Sequence, residues 1–363
     1  MAKKITIFIF LVGVLSLLRT TFLLWNSSLP DFNLFYQSAG ALLSNQNPYK
    51  NPLLFTQILY PPLVILMFIP FLGLSLALSS KIWMIMSIIS AILSILVLRL
   101  IKPLSTSIIL IIFSFLVLSF PFKFTLGMGQ INLILLLLLS LFIYFLHFEK
   151  KVFSGLILSI AIYLKLFPGM FLILLAIKKK WAVITSLIIF TILLFIPSLL
   201  FIDFEIYSYY LKSVLLPFFI NSSGDPYYNQ SITGFLARFD IPKAIMILPI
   251  MFILIISTYL IIKKTDLIRS FTLLMVVVLL VKSYTMQHHL VLLLIPYYFL
   301  ISETKSVLTL SFIGISYLLV AFNIKNPEAF ANALFGPIIL SHGFLGMLLL
   351  WIIMVKKNWN KIR

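Results

Sequence analysis

Asp31 is one of only nine acidic residues in this 363-residue chain. It lies in "LWNSSLPDFNLFYQSAGALLSNQNPY", residues 24–49, beside Tyr36, Asn47 and Tyr49. A carboxylate in such company can take a proton from a hydroxyl group. Other segments supply complementary groups. "PFKFTLGMGQIN" carries Lys123, Gln130 and Asn132; "GDPYYNQSITGFLARF" carries Asp225, Asn229, Gln230 and Arg238. Lys165 stands in "LKLFPG", Tyr60 precedes "PPL", and "KSYTMQHHL" holds Lys282, His288 and His289. Cations suit a phosphate, while amides and aromatic faces suit a sugar. Plainer roles are also open. Asp31, following Pro30, could cap the helix that begins there, although Leu34 occupies the position where a capping box places Glu or Gln. Lys165 could snorkel. Gln130 and Asn132 could join helices. No metal site is expected, because no HExxH or Asp-x-Asp pair is present.

The elements that must position these groups are apolar. The chain is 62% hydrophobic and 10% charged, with mean hydropathy +1.18; a soluble domain carries roughly 25% charged residues. Apolar runs near the ~20-residue bilayer length recur throughout. They are continuous, as in "INLILLLLLSLFIYFL", which excludes the alternating pattern of a β-barrel. The fold class expected is an all-α polytopic membrane protein forming a single domain over 1–363. The net charge of +18 comes from clusters such as "IKKKW" and "VKKNWNKIR", which fit cytoplasmic loops better than a nucleic-acid surface. Cysteine is absent, so thiol chemistry and disulfides are excluded.

Basic clusters set the threading. A first helix covers about 5–25, leaving the cytoplasm; it is too long for a signal peptide and lacks a cleavage site. A long outer loop spans 26–60. Residues 62–78, broken by Pro70, read as interfacial or re-entrant. Helices follow at 81–100, 104–121, 131–148 and 181–201, then a second outer loop at 202–242, then helices at 243–262, 268–282, 289–301, 306–322 and 338–355. Segment 152–177 is basic at both ends, and Pro168 and Gly169 break it, so a hairpin is expected there. The total is about 12 spans with both termini cytoplasmic. Lys165 lies about 20 Å along a helix from Lys151 and from Lys178, roughly two-thirds of the way across a ~30 Å core. The connection at Lys282 is similarly placed. Both turns point to a polar cavity sunk into the outer leaflet.

The ordered set "DFNLFYQSAGALLSNQNPY", "YPPL", "GQIN", "KLFP", "NQSITGFLAR" and a late His resembles glycosyltransferase family 87 of the C superfamily. The likeness runs over most of the chain and fades at the last span or two. It implies an inverting, metal-independent enzyme of the plasma membrane without a cofactor. Such an enzyme moves a hexose, mannose in this family, from a polyprenyl-phosphate donor to a glycan or glycolipid acceptor at the outer face. It also implies Asp31 as base and a late His in the site, with His288 and His289 both in the matching place. Phosphate contacts fall on Lys165, with Arg238 or Lys123. Gln130, Asn229, Gln230, Tyr36 and Tyr60 complete the expected substrate-binding set. The rival reading is a lipid-linked sugar transporter or flippase, but such proteins usually show internal repeats, and none is visible here.

Overall fold

The structure, a computed structural model, describes residues 2–50, 58–221, 227–263, 265–331 and 333–359. Among the described residues the elements are helical, apart from an isolated bridge pairing Asn229 with Met286. The principal helices are α1 (Ala2–Leu24), α2 (Pro30–Leu43), α3 (Leu76–Ile101), α4 (Thr106–Leu118), α5 (Phe120–Met128), α6 (Asn132–His147) and α7 (Lys151–Leu164). They continue as α8 (Phe171–Ile177), α9 (Trp181–Ser198), α10 (Lys243–Lys263), α11 (Leu267–Val281), α12 (Leu294–Ser302), α13 (Val307–Ala321) and α14 (His342–Trp359).

Helices α1, α3, α9 and α10 are long and apolar enough to cross a bilayer alone. Helices α4 and α5 form a fifth candidate, bent by 56°. The protein is thus a helical membrane protein in which several apolar helices fall short of a full crossing. The α4–α5 bend has a local cause. Ser119 ends α4 and its Oγ accepts from Phe122 N, and Pro121 sits in the first turn of α5, where no intrahelical amide bond is lost. Helices approach closely where residues are small. A Cβ on Gly155 would lie 2.4 Å from Ser186 Oγ, so α7 and α9 pack nearly backbone to backbone.

Two hairpins organise the interior. After α7 the chain breaks at Lys165, turns through Phe167–Met170 and returns along α8. Lys180 reaches Glu149 at 2.7 Å, so both ends of this segment meet on one side. The second hairpin runs up α11, turns through residues 282–286 and returns along Gln287–Leu293 and α12. Arg269 closes its base on Glu303 at 2.9 Å. Each rising helix, of 14 or 15 residues, is only about 21–22 Å long, short of a ~30 Å core. The tips meet, with Lys282 Nζ 4.9 Å from the Phe167 ring centroid. Residues 62–78 form no single helix but two turns, Pro62–Leu66 and Ile69–Gly73, before α3 begins. Their aromatic residues wedge α2 in place: Phe68 stacks on Phe35 at 4.4 Å, and Phe71 meets Phe32 at 5.6 Å.

Candidate active site

Asp31 does not cap α2. Leu29 holds the N-cap position with φ 42°, Pro30 follows, and no side chain caps the helix. Asp31 sits in the first turn, where the helix dipole favours a negative charge. Its Oδ2 accepts a short hydrogen bond from Gln130 Nε2. Gln130 Oε1 in turn accepts from the Tyr60 hydroxyl at 2.8 Å. Tyr60 is itself held, since Tyr49 donates to its carbonyl at 2.7 Å and Phe35 packs on its ring at 4.7 Å. The carboxylate therefore has a fixed direction, set through two residues.

Gly129 makes this reach possible. It ends α5 in the left-handed region at φ 71°. A Cβ there would come within 2.7 Å of Phe32 Cβ, so the close approach of α2 requires glycine. Trp83 Nε1 donates to the Gly129 carbonyl at 2.8 Å and pins the turn from α3. The chain then enters α6 with Gln130 aimed at Asp31.

Asn132 links this group to the hairpin tips. Its Oδ1 accepts from Lys165 Nζ at 2.7 Å, and its Nδ2 donates to the His288 carbonyl at 3.3 Å. Lys165 Nζ also lies 5.7 Å from the Tyr60 ring centroid. His289 Nδ1 accepts from the Met286 amide at 3.1 Å and lies 2.9 Å from Lys282 Nζ. A backbone amide can only donate, so Nδ1 is the bare nitrogen and Nε2 carries the proton. His288 packs edge-on against His289, with ring centroids 4.5 Å apart, and against Phe124 at 5.5 Å. Its Nδ1 is buried without a hydrogen-bond partner among the described residues. Asp31, Gln130, Tyr60, Lys165, Asn132, Lys282, His288 and His289 thus form one connected constellation. Asp31 lies on α2, outside the spanning helices. Burial raises its carboxyl above the ordinary aspartate range, and this outweighs the opposing effects of the Gln130 hydrogen bond and the Lys165 charge.

Several other expected binding residues bond to protein groups outside this constellation. Asn229 Oδ1 accepts from Ser231 N, Ser231 Oγ and Thr285 N, and its Nδ2 donates to the Ser283 carbonyl. Gln230 donates to the Tyr227 and Leu340 carbonyls and accepts from Phe344 N. Arg238 donates to Ser341 Oγ and to the Tyr227 and Asn229 carbonyls. These three side chains bind the protein itself, and Asn229 braces the loop that carries Lys282 through Ser283 and Thr285. Tyr36 donates to the Leu74 carbonyl, away from the constellation. Lys123 lies half-buried on α5, where Arg19 of α1 is the charge acting on it. Asp225 falls outside the described residues. Spacing gave no sign of the structural work done by Trp83 and Gly129.

A family model described as glycosyltransferase family 87 matches residues 58–283. The chain belongs to glycosyltransferase family 87. No curated protein gives a significant match. As a family 87 glycosyltransferase the protein acts on a sugar donor and an acceptor. The matched span contains Tyr60, Gln130, Asn132, Lys165 and Lys282. Asp31 and both histidines lie outside it, and they join it through Gln130, Asn132 and Lys282. The family 87 core thus carries the cations and the amide scaffold, and the flanking segments add a carboxylate and two imidazoles.

Proposed function

We propose that this glycosyltransferase moves a hexose, mannose by family resemblance, from a polyprenyl-phosphate donor to a glycan or glycolipid hydroxyl at the outer face of the plasma membrane, with inversion. The observation that carries the reading is a single oriented carboxylate in one network with two lysines at the hairpin tips. Asp31 Oδ2 is held by Gln130, and Oδ1 has no bond among the described residues. Oδ1 takes the acceptor proton as the acceptor oxygen attacks the anomeric carbon from the side opposite the phosphate. The sugar–oxygen bond to phosphate breaks, and the electron pair leaves on the phosphate. Lys165 and Lys282 stabilise that charge as it develops. His289, with its proton fixed on Nε2, donates a hydrogen bond to a substrate oxygen and does not compete as base. A phosphate leaving group needs no acid to protonate it, so one carboxylate suffices, whereas glycoside hydrolases use a pair. Arg238 and Lys123 have no part in this scheme, because Arg238 is engaged with backbone and Lys123 stands apart.

The test is transfer of radiolabelled sugar from polyprenyl-phosphate mannose in membranes holding the wild-type protein or Asp31→Asn. Transfer by the wild type alone is expected. Equal transfer by both would remove Asp31 as base, and no transfer by either would remove this donor.

A further inference from the structure

A cavity of about 570 Å³ opens at the hairpin bases, the end of the molecule away from Asp31. That volume lies within the ~300–1,000 Å³ of small-molecule sites. Both hairpins reach it. Glu149 precedes α7, Lys178 and Lys180 follow α8, Asp266 and Arg269 stand at the start of α11, and Glu303 follows α12. Its depth is apolar, since Ile101, Ile143, Leu146 and Phe299 line it and are buried. Its mouth is polar, since Lys102, His147, Glu149 and Asp266 line it and are exposed.

Four cations and three carboxylates line the cavity. The carboxylates are all committed. Glu149 accepts from Lys180 at 2.7 Å, and Glu303 accepts from Arg269 at 2.9 Å. Asp266 accepts from the Arg269 amide and lies 3.4 Å from its Nε. Two lysines are left without a carboxylate bond. Lys178 Nζ donates to the Ile261 and Thr265 carbonyls at 2.6 and 2.7 Å, and Asp266 acts on it through charge alone. An ammonium has three N–H donors, so one remains. The Lys102 side chain has no hydrogen-bond or ion-pair partner among the described residues. Its backbone is nonetheless fixed, because the Tyr298 hydroxyl donates to its carbonyl at 2.7 Å. His147 makes no hydrogen bond among the described residues and meets only the Phe148 ring, at 4.9 Å. Lys178 has structural work, as it offsets the C-terminal dipole of α10. That work does not explain why Lys102 and His147 converge on the same cavity.

We infer that this cavity binds a phosphate ester with an apolar part, the phosphate held by Lys102 and Lys178 and the apolar part lying against Ile143 and Phe299. A phosphate presents several strong acceptor oxygens and at least one negative charge, and lysine binds it as a point charge. Two sources share this chemistry: the head group of a phospholipid in the adjoining leaflet, and a soluble phosphate ester. The site is separate from the sugar reaction, because α6 sets His147 about 22 Å from Asn132. A ligand there ties the bases of both hairpins together, and it stabilises the fold because it binds only the folded chain.

The experiment uses purified full-length protein in detergent. The probes are dioleoyl phosphatidylglycerol, glycerol 3-phosphate, and two without phosphate, dioleoylglycerol and oleate. A phosphate probe should bind wild type at least about tenfold more tightly than Lys102→Glu and should raise the melting temperature of wild type alone. Lys102→Ala should fall between the two. The Lys102 side chain has no partner among the described residues, so neither variant removes a contact that folding uses. Lys165→Ala, altered at the other end of the molecule, should bind as wild type does. Binding of phosphatidylglycerol alone assigns the site to a lipid head group, and binding of glycerol 3-phosphate at similar affinity assigns it to a soluble ester. Equal binding by Lys102→Glu and wild type, binding of oleate or dioleoylglycerol as tight as that of the phosphate probes, or no binding of either phosphate probe would overturn the assignment. Loss of binding in Lys165→Ala would also overturn it, by placing the phosphate at the hairpin tips. None of these results bears on Asp31 or the sugar donor.

Discussion

Asp31 is raised in pKa and aimed by one amide, and both properties can be measured. Asp31→Asn keeps the shape and removes the base, so transfer should fall by at least about 10²-fold. Asp31→Glu should also be poor, since an added methylene misplaces the oxygen. Because burial raises the carboxyl, the native state binds this proton more tightly than the unfolded chain does. Stability thus falls as pH rises from the ordinary aspartate range through the raised value, and Asp31→Asn should melt no lower than wild type above it and respond less to pH across that window. Activity runs the other way, being lost as pH falls through that value. Gln130→Leu removes the bond that favours the charged carboxylate, so the acid limb of the rate profile should move to higher pH. An acid limb at the same pH in Gln130→Leu would disconnect Gln130 from the base. Transfer should also withstand excess EDTA; loss restored by manganese would assign a carboxylate to a cation. At this scale the sequence drew attention to Asp31, Lys165 and the histidine pair, because charged groups are rare in so apolar a chain. It did not show the protein partners of Asn229, Gln230 and Arg238, because the same amide and guanidinium donors serve a substrate or a loop backbone, and only three-dimensional neighbours decide which.

Among the elements, the turn at Gly129 and the two hairpin tips do the positioning. Gly129→Ala must keep φ 71° with a Cβ 2.7 Å from Phe32 Cβ. The left-handed conformation alone costs about 1–2 kcal/mol, so thermal melting should drop measurably and transfer with it, since Gln130 follows directly. A stable, active Gly129→Ala would show that α2 can retreat without disturbing Asp31. Lys165→Ala should lower donor affinity, with Lys165→Arg retaining part of it, as read by binding of polyprenyl phosphate. Normal binding by Lys165→Ala would remove that hairpin tip from the site. The break at Pro168–Gly169 was legible because proline and glycine interrupt helices locally. The wedge of Phe68 and Phe71 under α2 was not. An apolar run such as 62–78 has the same composition whether it spans lipid or packs on aromatic rings.

For the whole molecule, the ion pairs Lys180–Glu149 and Arg269–Glu303 gather the hairpin bases at one end, and Asp31 and the lysine tips lie toward the other. Helix α6, with 16 residues, separates Asn132 from His147 by about 22 Å. The chain has no cysteine, so introduced thiols report without background. A cysteine at Asn47 should react with an impermeant reagent on intact cells, and one at Lys179 only after permeabilisation. Labelling of position 179 in intact cells would reverse the orientation proposed for the site. Class and hairpins were readable from hydropathy and charge. The number of crossings was not, because bent pairs and short helices have the same apolar composition as full spans.

The meeting of Lys165 and Lys282 at the hairpin tips has a kinetic consequence. A sugar-bearing lipid phosphate is a diester with a single negative charge. Once the sugar has moved, the carrier is a monoester with about −1.5 to −2 charges at neutral pH. Under the proposed reading the two lysines, protonated by the charge they bind, hold the second species more firmly than the first. Under the proposed reaction the emptied carrier is therefore a tight inhibitor of its own formation, and its departure sets the steady rate. A first turnover faster than those that follow, and relief when the carrier is drawn off, are the expected time course.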